Sequence, residues 1–287
     1  MKRQGFLFNR VSIIGVGLIG GSLGMAIKKQ KVAKEVIGFA RRKQTIREAL
    51  KKKAIDRGTL QLSQAVSNAD LVIFATPVDT IIRLAPLALK NLKKGCIVTD
   101  VGSCKNKIVQ AIEKRIPTGI HFVGSHPLAG SEKKGVRFAG ADLYKNSVCI
   151  LTPTNTTNQS AFKRIKKFWM KLGARTHSLS PSRHDRILAY ISHLPHMLAF
   201  SLVAAVPEEY FHFASGGMRD TSRIAASDAA IWRDIFIANK KEVKKALKVF
   251  RAELSDLERM ISSRNRSRLT KKLLNAKIKR EKLKNHT

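Results

Sequence analysis

The sequence predicts an α/β protein, with a doubly wound, mostly parallel sheet on the N-terminal side and an all-helical domain after it. Three observations predict this. Short β-branched runs alternate with helical patterns through the first 180 residues. A G-x-G-x-x-G stretch, made of Gly15, Val16, Gly17, Leu18, Ile19 and Gly20, stands between the first such run and the first helical pattern. From Pro181 onward the runs stop and long apolar-periodic segments take over.

In chain order, strands are expected over 10–14, 35–39, 70–74, 96–99, 121–123 and 147–151, where β-branched and aromatic residues cluster. Helices are expected over 44–53 and 79–92, the second with Asp79 as N-cap and Gly95 as stop. The polar stretch 153–160 reads as a loop, followed by an amphipathic helix over about 161–172. Beyond a domain boundary near Ser180, a helical stretch runs to about 206, where Pro207 closes it, and helical patterns return over 228–260. The expected division is 1–180 and 181–287. Helices with apolar faces and no strand layer to cover them complete their core by pairing, so a homodimer is expected.

The 287 residues, 44% hydrophobic and 6% aromatic, describe a globular chain. Its net charge of +35 raises polyanions as partners, but the distribution argues against nucleic acid. Ten Lys and Arg against the single acid Glu281 fill the tail from Ser262, and the remaining excess is scattered over helix surfaces without interleaved aromatics. The field still draws in anionic substrates and cofactors. Met1, Lys2 and Arg3 before an apolar run imitate a signal peptide, yet five glycines interrupt that run, and no other segment reads as a membrane span. Three cysteines without a C-x-x-C pair fit a reducing cytoplasm.

Following a strand and opening a helix, the glycine stretch reads as a dinucleotide-binding turn of a Rossmann-type sheet. The second strand lacks the terminal acid that accepts a ribose 2′-hydroxyl. Arg41 and Arg42 stand there instead and favour NADP over NAD. Thr76 and Pro77 end one strand and Asp100 to Lys105 follow the next, at the carboxyl edge where nicotinamide and substrate meet. Ser103 is placed to orient a base or to N-cap the helix beginning near Lys105. The octapeptide from Ser125 to Glu132 puts the imidazole of His126 six residues from a carboxylate, in a strand-exit loop. His193 and His196 flank Pro195 and do not read as a metal pair.

The order G-V-G-L-I-G-G-S-L, D-V-G-S-x-K, S-H-P-L-A-G-S-E, I-S-H-L-P-H and G-G-M-R-D-T-S-R-I-A-x-S-D, over residues 9–260, resembles the prephenate and arogenate dehydrogenase family of tyrosine biosynthesis. The resemblance implies hydride transfer from ring carbon 4 of a cyclohexadienyl carboxylate to NADP or NAD, with loss of carbon dioxide. It makes His126 the group that polarises or takes the 4-hydroxyl proton, with Ser103 bonded to it and helping to hold the nicotinamide. It makes His196, Arg223 and Ser125 substrate-binding. Glu132 and Asp220 would join an ion network at the pocket mouth, Asp220 coming from the second subunit. Competing readings are another two-domain hydroxyacid or imine reductase, which has no need of the S-H-P-L-A-G-S-E loop, and a basic nucleic-acid-associated protein.

Overall fold

The computed structural model describes residues 5–284, so the basic flank Met1 to Arg3 and the last three residues of the tail lie outside the described residues. The chain runs β1 (Phe8–Ile14), α1 (Leu18–Lys29), β2 (Ala33–Phe39), α2 (Lys43–Lys51), β3 (Arg57–Thr59), α3 (Leu62–Val66), β4 (Leu71–Phe74), α4 (Val78–Leu89), β5 (Ile97–Asp100), α5 (Asn106–Glu113), β6 (His121–Pro127), β7 (Val148–Thr152), α6 (Gln159–Lys171) and β8 (Arg175–Ser178). The strands order themselves β3-β2-β1-β4-β5-β6-β7-β8. All neighbours are parallel except β6 and β7. The order reverses between β1 and β4, and that switch point opens the crevice where such sheets bind ligands.

Both faces of the sheet are covered, which is why β4 and β5 are buried at every residue and read as unbroken runs. One core gathers under α1 and α6 around Phe8, Phe168 and Trp169. The other lies under α3, α4 and α5 around Phe74, Val98 and Ile108, and takes in Ile235 and Ala238. Buried Tyr144 donates its hydroxyl to Ile19 O at 2.6 Å, pinning the first turn of α1.

Several boundaries differ from the sequence expectation. The edge strands β3 and β8 escape the pattern because R-G-T and R-T-H-S contain no apolar residue. Pro77 caps α4, placing Asp79 inside its first turn, and the helix ends at Leu89, before Gly95. Gly95, at φ +84°, belongs to the turn before β5. The 153–160 loop is shorter than expected, because Asn158 Oδ1 accepts Ala161 N at 2.9 Å and starts α6 at Gln159.

No strand follows β8 among the described residues. α7 (Pro181–Leu188) passes through one π turn (Ala189–His193) into α8 (Leu194–Ala205), then α9 (Gly216–Ser222), α10 (Ala229–Ala238), α11 (Lys240–Ser262) and α12 (Arg266–Lys284) follow. The run Pro181–Ala205 is, against the sequence expectation, long and apolar enough to cross a membrane. Pro195 does not break it, because it sits in the first turn of α8, where its missing N–H costs nothing. The run carries fully buried His184, Asp185 and His193, while 28% of its apolar window is buried.

The compact unit containing the sheet extends to Lys240. It does so because α7 packs on α5 and β7, and α10 packs on α4. The second unit, from Lys241, holds most of α11 and all of α12. Within it Lys272 of α12 bridges Glu253 and Asp256 of α11 at 2.8 and 2.5 Å. The basic tail is thus helical to Lys284.

Candidate active site

The glycine turn at the switch point has the shape a dinucleotide needs. Gly15, at φ +103°, takes the sharp turn after β1, and a Cβ there would lie 2.5 Å from Thr76 Cγ2. A Cβ on Gly20 would lie 1.9 Å from Gly15 O, so α1 packs against the turn only without one. A Cβ on Gly17 would meet nothing within 4 Å, which leaves open space before the N-terminus of α1, where its free amides lie. Thr76 Oγ1 is buried there without a hydrogen-bond partner among the described residues. An orphaned hydroxyl beside an open glycine cradle fits a bound dinucleotide. Leu18 and Ile19 begin α1, Pro77 caps α4, and Arg41 and Arg42 are exposed just past β2.

A cavity of about 550 Å³ adjoins this turn. Ile19, Ser103, His126, His196, Arg223 and Glu132 all line it, joined by Lys133, Lys134, Asp228 and Trp232. Lys134 is ion-paired with Asp228. Of the expected substrate residues, two stand elsewhere. Asp220 is exposed and off the cavity of its own chain.

Ser125 also points away, because adjacent strand residues face opposite sides. It and His126 lie within β6, not in a loop after it. Ser125 is fully buried, its Oγ donating to Asp100 O at 2.7 Å and lying 2.7 Å from Thr99 Oγ1. Ser125 O accepts the ammonium of Lys105 at 2.9 Å, and the same ammonium is ion-paired with Asp100. The serine therefore ties β6 to β5 and leaves substrate to its neighbour.

His126 Nδ1 lies 2.8 Å from His184 Nε2, and His184 Nδ1 lies 2.8 Å from Asp185 Oδ1. The bond expected from Ser103 to His126 is absent, since His184 is the ring's hydrogen-bond partner among the described residues. Nor does Ser103 cap α5. Asp185 does so from another helix, accepting Lys105 N at 2.7 Å and Asn106 N at 3.0 Å. Burial, reinforced by His184, Lys105 and His193, pushes the His126 imidazole well below its usual range, so it is neutral at pH 7. Burial would raise Asp185, but hydrogen bonds from His184, Lys105 N and Asn106 N outweigh it and hold the carboxyl low.

His196 Nδ1 bonds Ser192 O at 2.9 Å, and its ring lies flat on Trp232 with centroids 3.5 Å apart. His193 is buried, with Nδ1 3.1 Å from Asn239 Nδ2, and burial pushes it down to about 4. The sequence reading missed His184, Asp185, Asn239 and Trp232. The one visible signal was polar residues at interior positions of an apolar-periodic helix.

Family models agree with this architecture. "Prephenate dehydrogenase, nucleotide-binding domain" matches residues 23–178, and "Prephenate dehydrogenase, dimerization domain" matches 180–275. A prephenate dehydrogenase of Bacillus subtilis is 39% identical over 81% of this chain, which spans 65% of that relative's length. A cyclohexadienyl dehydrogenase of Zymomonas mobilis is 32% identical over 90% of each chain. The crystal structure of prephenate dehydrogenase from A. aeolicus, in complex with hydroxyphenyl propionate and NAD+, superposes with a TM-score of 0.90 at 34% identity, covering 96% of this chain and 98% of that one. By both of its domain models and by relatives aligned over most of its length, the chain belongs to the prephenate dehydrogenase family of oxidoreductases.

Proposed function

We propose that the protein catalyses oxidative decarboxylation of a cyclohexadienyl carboxylate, prephenate ahead of arogenate, to the corresponding phenol. The observation that carries this reading is a neutral His126 sharing one cavity with Ser103, His196 and Arg223, beside the glycine turn at the switch point. When bound, the oxidised nicotinamide supplies the hydride acceptor. Gly15, Gly17 and Gly20 would receive its pyrophosphate at the start of α1, and the unpartnered Thr76 Oγ1 would bond to it.

His126 accepts the proton of the 4-hydroxyl as carbon 4 loses hydride and develops carbonyl character. The bond to the departing carboxylate supplies the electron pair that completes the aromatic ring, and the proton returns to the phenolic oxygen. Arg223 takes a substrate carboxylate through its planar fork, and His196 orients the ring. With Lys134 paired to Asp228, Lys133 and Arg223 face the cavity against Glu132 alone. That balance supports the more anionic prephenate.

The cofactor is NADP or NAD. Arg41 and Arg42 past β2, with no carboxylate before Glu48, support NADP, while NAD+ occupies the A. aeolicus relative. The protein acts as a cytoplasmic homodimer, in which Asp220 reaches the second subunit's cavity. Its exposure off its own cavity supports this.

Absorbance at 340 nm with prephenate or arogenate and NADP or NAD, run beside His126→Asn, tests the reading. Reduction in one pairing, lowered by about 10²- to 10⁴-fold in the variant, is expected. Folded protein inactive in all four pairings would overturn it.

A further inference from the structure

We propose that His184 and Asp185 are positioning residues that set the tautomer of His126, so that Nε2 meets the substrate as a bare lone pair. The proposal rests on the reading of His126 as the base.

The direction of every hydrogen bond in this chain is forced from its far end. Asp185 accepts two backbone N–H groups from the start of α5, so its carboxylate is an acceptor held in place. His184 Nδ1 must then donate to it. A neutral imidazole has one N–H, so His184 Nε2 is left as an acceptor, and His126 Nδ1 must donate across the 2.8 Å contact. Only Nε2 of His126 remains, and it carries no proton. The His184 and Asp185 side chains are buried, so solvent offers no competing partner.

Burial pushes His184 down although Asp185 pulls it up, so the middle ring stays neutral, as the relay requires. The other charged group near the rings, the Lys105 ammonium, is held by Asp100 and Ser125 O, and His193 is neutral and bonded to Asn239. As His126 takes up a proton, its cation faces a lone pair on His184 and, behind that, the Asp185 carboxylate. The opposite tautomer would present a donor to the substrate hydroxyl and could not act as base. No sequence motif marks this pair.

The test begins with unmodified protein. In ¹⁵N-histidine-labelled enzyme at pH 7, with the His126 signal identified by its loss in His126→Asn, Nδ1 is expected to be protonated and Nε2 bare. In His184→Leu, which removes the acceptor, the His126 signal moves to mixed tautomers and kcat falls about 10²-fold, with KM changed far less. In His184→Gln the amide oxygen accepts from His126 and its NH₂ donates to Asp185, and kcat recovers to within about tenfold of the parent. Asp185 is left intact because it also holds α5.

Protonation of His126 at Nε2 in the unmodified protein overturns the proposal, as does full kcat in His184→Leu. Should His184→Leu fail to fold, the tautomer of the parent and the recovery in His184→Gln decide. A parent with the expected tautomer and no turnover on any substrate would sink the functional reading and leave the relay standing.

Discussion

His196 and Trp232 lie face to face, ring centroids 3.5 Å apart and planes inclined by 20°. The indole closes one face of the imidazole, and Ser192 O fixes its Nδ1, so the ring has one orientation in which to present Nε2 to the cavity. Trp232→Leu removes the stacking surface and is expected to raise KM for the cyclohexadienyl substrate about tenfold with a smaller change in kcat. Steady-state kinetics check this, and an unchanged KM would mean that the stack does not position His196.

The acid limb of kcat/KM follows from the depressed His126. On the proposed role of His126 as base a neutral imidazole is the active form, and its folded pKa lies well below 6.5, with burial the largest cause. Activity is therefore expected to hold through pH 6.5 and to fall only in more acidic solution. A fall centred at 6.5 in the free enzyme would show His126 to be solvated.

Stability follows the same groups with the same sign. His126, His184, His193 and His196 are all lowered in the folded protein, chiefly by burial, His193 to about 4. Between the unfolded value of about 6.5 and that folded value the unfolded chain binds more protons, so unfolding free energy declines as pH falls through this window. Thermal midpoints measured from pH 7.5 to pH 4.5 are expected to drop steadily below pH 6.5.

Gly17 and Gly20 separate ligand binding from folding. A methyl at Gly20 meets Gly15 O at 1.9 Å, so Gly20→Ala lowers the thermal midpoint. A methyl at Gly17 meets no protein atom within 4 Å and enters only the space assigned to the pyrophosphate. Gly17→Ala is expected to keep the midpoint and weaken dinucleotide binding at least about tenfold, read by fluorescence titration with NADPH and NADH.

Lys105 is buried with its ammonium on Asp100 and on Ser125 O. Lys105→Met strands the Asp100 carboxylate and is expected to cost about 3–5 kcal/mol in denaturant unfolding. The Lys105→Met, Asp100→Asn double variant should recover part of that loss, because the stranded charge is gone.

The parallel strands of the sheet were legible because burial on both faces writes apolar runs such as L-V-I-F in β4 and the I-V that opens β5. Edge strands β3 and β8 were not, since a strand open to solvent needs no such run. His126, Ser103, His196 and Arg223 were legible through the resemblance, and the cavity gathers all four. Ser125 was misjudged because sequence adjacency to a base says nothing about facing, and strand alternation turns it into the sheet. His184 and Asp185 carry no motif, and their importance arises when α7 docks on α5 and delivers a carboxylate to a helix start far away in sequence.

Strand β6 changes partners midway, pairing in parallel with β5 through His121, Phe122 and Val123, and antiparallel with β7 through Gly124, Ser125, His126 and Pro127. The imidazole is thus laddered into a sheet, while Glu132, Lys133 and Lys134 follow it on an irregular stretch that returns to order only at residues 136–138. If His126 is the base, the proposed chemistry rests on a laddered strand and the charges proposed to select the substrate rest on an irregular stretch, so a substitution after Leu128 is free to change the cavity's charge without disturbing the strand.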